Sequence, residues 1–285
     1  MTMRPRRSAL YLPASRESAI TKARTLPCDI VILDLEDAVS PEDKPGARKN
    51  ARGAADEGGF GSRELLVRVN ALDTSWGGAD VEEVKGAPID GLLLPKVSSP
   101  ADFATARALA GHEIPLWAMI ETCAAVLDIA AIASAARTYS VAGFVIGTND
   151  LALEIRCSLD EQRSAVLPFL VLTVAAARAN GLAVLDGVFN DIDDAEGFAV
   201  QCRQGEMLGF DGKTLIHPSQ IETANRTFAP TADQLARALD VVAGFAAPEN
   251  EGKGVLRVGG KMTERLHLVE AQRLLAVQQA IEAAA

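Results

Sequence analysis

A (β/α)8 TIM barrel with a C-terminal helical extension is the α/β fold that this sequence predicts, and three observations predict it. Short apolar runs alternate with helix-length segments from residue 8 to about residue 226. The runs are β-branched or leucine-rich without polar alternation, as strands buried on both faces are. Eight such units fit the ~228 residues of a barrel of this kind. An open doubly wound sheet is the rival, but it rarely uses eight evenly spaced units.

Taken in order, the first strand covers 8–12, followed by a helix over 15–26 with Ser15 as N-cap. A strand at 30–33 leads to a helix over 45–56, with Pro45 suited to its first turn. Next come a strand at 65–69 and a helix over 79–85, then a strand at 91–94 and a helix over 100–110. The fifth and sixth strands, 116–120 and 143–146, flank an alanine-rich helical segment. A helix over 161–180, a strand at 183–185 and a helix over 195–204 follow. The eighth strand is expected at 206–210 and the closing helix at 218–226. Residues 1–229 therefore form the barrel, and 230–285 the extension. The extension reads as a helix over 231–247, a charged loop, an extended stretch at 255–259 and a last helix over 263–284. It adds no strand to the barrel, so it is free to cover a site or reach a partner.

Composition narrows the function. A net charge of −10 argues against nucleic acid and anionic membranes as partners. No run of eighteen apolar residues appears, so no membrane span is expected. The basic start has no long apolar core behind it, unlike a signal peptide. Cys28, Cys123, Cys157 and Cys202 lie far apart without a paired motif, which suits reduced thiols in a cytoplasmic protein.

Chemistry gathers where the strands end. Residues 115–151 form one β–α–β unit, so its strands should be parallel neighbours, with Glu121 and Asp150 side by side at their carboxyl ends. Two adjacent carboxylates are costly unless a proton or cation shares them. Mg²⁺, which takes one or two carboxylates plus waters, is one occupant; two unrelated turn carboxylates is the other reading. Other strand ends supply Asp34, Glu36 and Asp37, then Arg68 and Asn70, then Lys96, Asn149, Asp186, Asp211, Lys213 and His217. Catalytic groups in such barrels come from these ends. A metal beside an arginine suits an anionic oxygen substrate.

Other signals are weaker. Gly212-Lys213-Thr214 lacks the earlier glycine of a phosphate loop, since Met207 stands there. No Gly-x-Ser-x-Gly elbow is present. His112, His217 and His267 lack zinc spacing, and His217 before Pro218 reads as a structural residue. Arg4, Arg6, Arg7, Arg16, Lys22 and Arg24 form a basic cluster, either a solvated face or a dock for a phosphorylated carrier such as coenzyme A.

The ordered motifs resemble the citrate lyase β-subunit-like branch of the HpcH/HpaI aldolase superfamily, nearly end to end. They are Arg7-Ser-Ala-Leu-Tyr-Leu-Pro13, Leu33-Asp-Leu-Glu-Asp-Ala-Val39, Val67-Arg-Val-Asn70 and Leu94-Pro-Lys-Val97. Ile120-Glu-Thr122, Gly147-Thr-Asn-Asp-Leu151, Gly209-Phe-Asp-Gly-Lys213 and Ile216-His-Pro-Ser-Gln220 complete the set. The resemblance implies a Mg²⁺-dependent barrel, commonly a homotrimer or hexamer, that makes or breaks a carbon–carbon bond in 3-hydroxyacyl-CoA thioesters. It implies Glu121 and Asp150 as metal ligands and Arg68 as the residue that holds the substrate oxygen. Glu36 and Asp37 would orient Arg68 and metal-bound water, and Arg16 and Lys22 would contact coenzyme A phosphates.

One motif departs from the family. Where many such lyases carry Gly-Lys-Met-Ile-Asp, with the aspartate reaching a neighbouring subunit as acid/base, this chain has Gly260-Lys-Met-Thr-Glu264. Glu264 keeps the carboxylate on a longer arm, and small displacements of a catalytic group are expensive. The expected activity is a carbon–carbon lyase that cleaves malyl-CoA, citramalyl-CoA or citryl-CoA to an acyl-CoA and an oxo acid. A thioesterase, or a citrate lyase β subunit that depends on a carrier protein, is the alternative.

Overall fold

In the computed structural model, which describes residues 4–284, the chain divides into two compact units, one spanning Arg6–Thr227 and the other built from residues 4–5 and the chain from Phe228 onward. The first unit is a closed barrel of eight parallel strands paired in chain order, with the first strand also paired to the eighth. Its elements are β1 Ser8–Pro13, α1 Glu17–Ala23, β2 Ile30–Asp34, α2 Lys44–Glu57, β3 Glu64–Arg68, α3 Gly77–Val84, β4 Gly91–Leu94 and α4 Pro100–Ala110. They continue with β5 Leu116–Ile120, α5 Cys123–Leu127, α6 Ile129–Ser134, β6 Val141–Ile146, α7 Thr148–Ile155, α8 Leu167–Ala179, β7 Ala183–Asp186, α9 Ala195–Leu208, β8 Gly212–Leu215 and α10 Ile221–Thr227.

Most elements fall where the apolar pattern puts them. The alanine-rich segment is two short helices rather than one, divided at Asp128. α8 starts at Leu167, later than expected, with Pro168 in the first turn, where its missing N–H costs nothing. The eighth strand is the clear correction. Residues 206–208 close α9, and Gly209, with φ 93°, caps that helix in the left-handed region that glycine favours. β8 comes after it, so Asp211 sits at the amino end of the barrel rather than its mouth. There its carboxylate accepts from the Val184 N–H at 2.8 Å and pairs with Arg178 at 2.7 Å.

The barrel interior is filled by Ala9, Ile30, Ile32, Leu66, Leu93, Trp117, Met119, Val145, Ala183 and Leu185. Trp117 is fully buried on β5 and its bulk is accommodated by a glycine on each neighbouring strand. A Cβ on Gly143 of β6 would meet the indole at 2.5 Å, and one on Gly91 of β4 would meet it at 2.8 Å. The guanidinium of Arg6 lies 5.0 Å from the indole centroid. Arg6 also pairs with Glu64, Arg7 with Asp29, and Arg24 with Glu57. The basic cluster of the sequence is therefore split up and largely neutralised; Arg16 and Lys22 remain exposed.

The second unit holds α11 Ala232–Ala246, β9 Val255–Val258, β10 Lys261–Glu264 and α12 Arg265–Ala284. Its helices pack through Ala238, Val241 and Ala271, with Phe245, Val258 and Leu268 around them. The hairpin was not expected from the sequence. Gly259 and Gly260, at φ 54° and 77°, form its two-residue turn, the kind of turn that needs positive φ twice. Among the described residues, no helix is long and apolar enough to cross a membrane.

The packing around Trp117 makes a prediction. Gly143→Ala should lower stability by ~1–3 kcal/mol through overpacking, read as a lower urea midpoint at unchanged slope. An unchanged midpoint would mean that the indole has room to move.

Candidate active site

The carboxyl ends of β2 and β3 set the first half of the site. Asp34 and Arg68 are the last residues of those strands and are register partners, which brings their side chains together. Arg68 Nε and Nη2 donate to the two oxygens of Asp34 at 2.7 and 2.6 Å, a buried bidentate pair. Its Nη1 lies 2.9 Å from Glu36 Oε2 and 3.6 Å from Asp37. The guanidinium rests over the Tyr11 ring, 4.8 Å from the centroid, and Met119 Sδ receives both the Tyr11 hydroxyl and Arg68 Nη1.

Arg68 is thus oriented chiefly by Asp34, with Glu36 beside it and Asp37 more distant and exposed. Sequence reasoning placed Asp34 at the mouth but gave it no role, and it missed Tyr11 and Met119 altogether. Inward-facing positions on β1 and β5 were the available signal. Asp34 uses both oxygens on Arg68 and also accepts from the Glu36 and Ala38 N–H groups. Glu36 is left with burial that its partial share of Arg68 does not offset, and its carboxyl is pushed up to about 8. The charge of Arg68 is held well above its ordinary range against burial by Asp34 and its neighbours.

Lys44 supports this half. Its buried ammonium donates to the carbonyls of Leu35 and Glu36, each at 2.9 Å, and to Asn70 Oδ1 at 2.6 Å. Asn70 in turn binds Asp80, so Asn70 braces the loop rather than facing the mouth.

The second half joins β4, β5 and β6. Glu121 follows β5 directly and is buried; Asp150 lies in the first turn of α7 and is about one-third exposed, with a side-chain accessibility of 35%. Lys96 links them. Its φ of 54°, unusual for a residue with a side chain, turns its N–H to donate to Glu121 Oε1 at 2.8 Å. Its ammonium touches Asp150 and lies 3.6 Å from Glu121 Oε1. Glu121 Oε2 is buried and has no hydrogen-bond partner. The space beside it exists because residue 147 is glycine: a Cβ there would overlap Glu121 Oε2. Burial drives the Glu121 carboxyl upward, against the pull of Lys96.

These residues fit a divalent ion. One carboxylate has a free buried oxygen, the other is open to water, and both already attract a cation. Among the described residues, no group of three or more His, Cys, Asp or Glu side chains gathers as a metal cluster. A two-carboxylate site completed by water and substrate is the arrangement Mg²⁺ ordinarily takes.

Other expected members of the mouth do not reach it. Asp186 and Lys213 are fully buried in a closed set, with Arg163 at 2.6 Å and Lys213 at 2.8 Å from Asp186. The two cations hold the Asp186 carboxyl below its usual range despite burial, while burial and Arg163 push Lys213 down. His217 Nδ1 meets Ser219 Oγ at 2.8 Å in a local cap. Asn149 exchanges side-chain hydrogen bonds with Asn190. Arg16 precedes α1 and Lys22 lies in its last turn. Glu264 belongs to the second unit, where it ends β10 and its N–H donates to His267 Nδ1 at 2.9 Å.

Comparison with known proteins now decides the family. The profile described as HpcH/HpaI aldolase/citrate lyase matches residues 7–218. The chain belongs to this family. It is 45% identical over 279 residues to a (3S)-malyl-CoA thioesterase of Cereibacter sphaeroides (strain KD131), covering 98% of this chain and 96% of that one. It is 31% identical to the citrate lyase subunit beta of Leuconostoc mesenteroides subsp. cremoris, covering 97% and 94%. The crystal structure of CitE from Mycobacterium tuberculosis with magnesium, acetoacetate and coenzyme A aligns at a TM-score of 0.78 and 29% identity, over 96% of this chain and 98% of that one. HpcH/HpaI relatives of this kind are enzymes of coenzyme A and acid chemistry, and the (β/α)8 barrel is shared with them.

Two predictions come from this geometry. The carboxyl of Glu36 keeps its proton up to about pH 8 in the folded protein, whereas in the unfolded chain it releases it at about 4.5. The folded state then binds more protons between those values, so this contribution to stability falls as pH rises through that window and levels off above it. Denaturation of Glu36→Gln in EDTA should show a shallower decline over the same range; an identical slope would refute the assignment. Gly147→Ala should displace the Glu121 carboxylate and weaken Mg²⁺ binding by ~10-fold or more, read by calorimetry.

Proposed function

We propose that this protein is a Mg²⁺-dependent carbon–carbon lyase that cleaves a 3-hydroxyacyl-CoA of the malyl-CoA, citramalyl-CoA or citryl-CoA type to an acyl-CoA and an oxo acid. The observation that carries the reading is that Arg68, fixed by Asp34 at the end of β3, shares the carboxyl-end rim of the barrel with Glu121 after β5 and Asp150 after β6. Glu121 and Asp150 would hold the metal, which when bound supplies a Lewis acid for a substrate oxygen. The M. tuberculosis structure, solved with magnesium, acetoacetate and coenzyme A, supports that cofactor and substrate class.

The chain's own residues supply the rest. Arg68 is held by Asp34 and Glu36, so its fixed charge would stabilise the substrate hydroxyl oxygen as it gives up its proton and becomes the carbonyl of the oxo acid. A guanidinium already fixed needs no reorganisation at that moment. Glu36, whose carboxyl titrates at about 8, is able to hold or pass a proton beside Arg68 near neutral pH. Arg16 and Lys22, exposed at the β1–α1 end of the chain, are our candidates for contacts to coenzyme A phosphates. Glu264 is the candidate acid/base, delivered by the extension of residues 230–285 to a neighbouring subunit in a homotrimer or hexamer.

A second reading, hydrolysis of the same thioester, is favoured by one specific observation: the relative at 45% identity is a (3S)-malyl-CoA thioesterase. Both reactions need the same hold on the acid end of the substrate, and they differ in which bond breaks. An assay with malyl-CoA and citramalyl-CoA, with and without Mg²⁺, separates them. Oxo acid without free thiol means a lyase; free thiol without oxo acid means a thioesterase. Glu121→Ala and Asp150→Ala should each abolish Mg²⁺-dependent turnover, and retained activity in both would remove the metal assignment. Arg68→Met should lower kcat/KM by ~10²–10³.

A further inference from the structure

Lys96 stands out because its two ends do different work and both touch the same pair of carboxylates. The backbone of a residue with a Cβ is held at φ 54°. Such a conformation persists only where the surroundings enforce it, and it gathers at functional sites. Here it turns the amide inward to fix Glu121 Oε1, while the side chain carries an ammonium onto Asp150 and within 3.6 Å of Glu121. Among the described residues, Lys96 forms no other ion pair and Asp150 has no other cationic partner. The ammonium therefore stands where a divalent ion bound between these carboxylates would stand, and the two cannot share the place without strong repulsion.

We propose that Lys96 is a positioning residue with separable parts: its N–H fixes Glu121 for metal, and its ammonium is an internal competitor that sets how tightly the pair takes a divalent ion. The inference rests on the metal reading given above. In the metal-free protein the ammonium neutralises one of two adjacent carboxylates and keeps the mouth from repelling itself apart. Binding of the dication requires the ammonium to leave Asp150, so the affinity observed is the intrinsic affinity reduced by that displacement. Water reaches the side chain, 35% of which is exposed, so an ammonium that leaves Asp150 can be solvated. Lys96 thereby makes the site discriminate by charge: a monovalent cation gains little over an ammonium already in place, whereas a dication gains enough to displace it.

The test measures metal binding directly, without reference to turnover. Mn²⁺ as a probe ion is titrated into the full-length protein, and free ion is followed by electron paramagnetic resonance. Lys96→Met removes the ammonium; Lys96→Gly does so as well while relieving the backbone at positive φ, which guards against a misfolded variant. Both should bind Mn²⁺ at least ~10-fold more tightly than wild type, a small part of the repulsion that a unit charge a few ångströms away exerts on a dication. Lys96→Met should also lose thermal stability in EDTA, and both variants should gain more from Mn²⁺ than wild type does. Lys96→Arg, which keeps the charge, should stay near the wild-type affinity. Glu121→Gln and Asp150→Asn distinguish the two ideas. Wild-type binding that these variants abolish, with affinity unchanged or weaker in Lys96→Met and Lys96→Gly, overturns the role of Lys96 and leaves the metal site standing. Wild-type binding unaffected by Glu121→Gln and Asp150→Asn, or no binding at all, overturns the metal site and the role of Lys96 with it.

Discussion

The mouth of this barrel depends on one buried ion pair, that between Asp34 and Arg68. Two strand ends in register present opposite charges, and both oxygens and two nitrogens are matched at hydrogen-bond distance. Removing one partner of such a pair typically costs ~3–5 kcal/mol because the other charge is stranded in the interior. The pair also decides its neighbours' behaviour. With Arg68 neutralised by Asp34, Glu36 is an extra carboxylate in a dry place, and it holds a proton that an exposed glutamate would have lost. The Tyr11 ring beneath the guanidinium fixes its plane, and the buried Lys44 ammonium ties the Leu35–Glu36 carbonyls to Asn70, so the loop carrying Glu36 cannot drift from the strand carrying Arg68.

Absent side chains shape the rest. Gly91 and Gly143 leave the barrel wide enough for Trp117, and that indole, with no hydrogen-bond partner for its N–H, is a pure filler beneath the site. Gly147 does the same for a carboxylate. It carries no Cβ where Glu121 needs space, so a buried acid keeps one oxygen uncovered. A core that is close-packed below and a glycine-lined recess above amount to a rigid floor with one deliberate gap.

How much of this could be read from the sequence depends on whether the physics is local. Apolar runs bounded by turn residues gave seven of the strands, because burial on both faces leaves a visible mark. The eighth was misplaced for a physical reason: Met207, Leu208 and Phe210 look like a strand, while Gly212-Lys213-Thr214 looks like a loop. Its polarity is satisfied inside the barrel, where Lys213 pairs with Asp186 and Thr214 Oγ1 donates to the Asp186 carbonyl at 2.9 Å. No local pattern announces a partner 27 residues away. The site was legible in the same measure. Strand ends revealed which side chains gather; the register that joins Asp34 to Arg68, and the left-handed backbone that turns Lys96 inward, are properties of the assembled sheet. The Gly259-Gly260 hairpin, by contrast, was written locally and overlooked.

Two of the barrel's ionic clusters differ in what they leave open to a ligand. At β7 and β8, Asp186 faces Arg163 and Lys213; cations outnumber carboxylates, every member is sealed from water, and the Asp186 carboxyl is held ionised. In such a set neither oxygen of the carboxylate is left to offer a cation. Around the mouth, Asp34, Glu36, Asp37, Glu121 and Asp150 are answered by Arg68 and Lys96, five carboxylates to two cations. Protonation of Glu36 relieves part of that excess and exposure of Asp37 and Asp150 relieves more. What remains is concentrated at Glu121, whose second oxygen has no partner. The carboxylate at β7 and β8 is paired at both oxygens, whereas Glu121 at the mouth keeps one oxygen open, and that opening is what the proposed divalent ion would use.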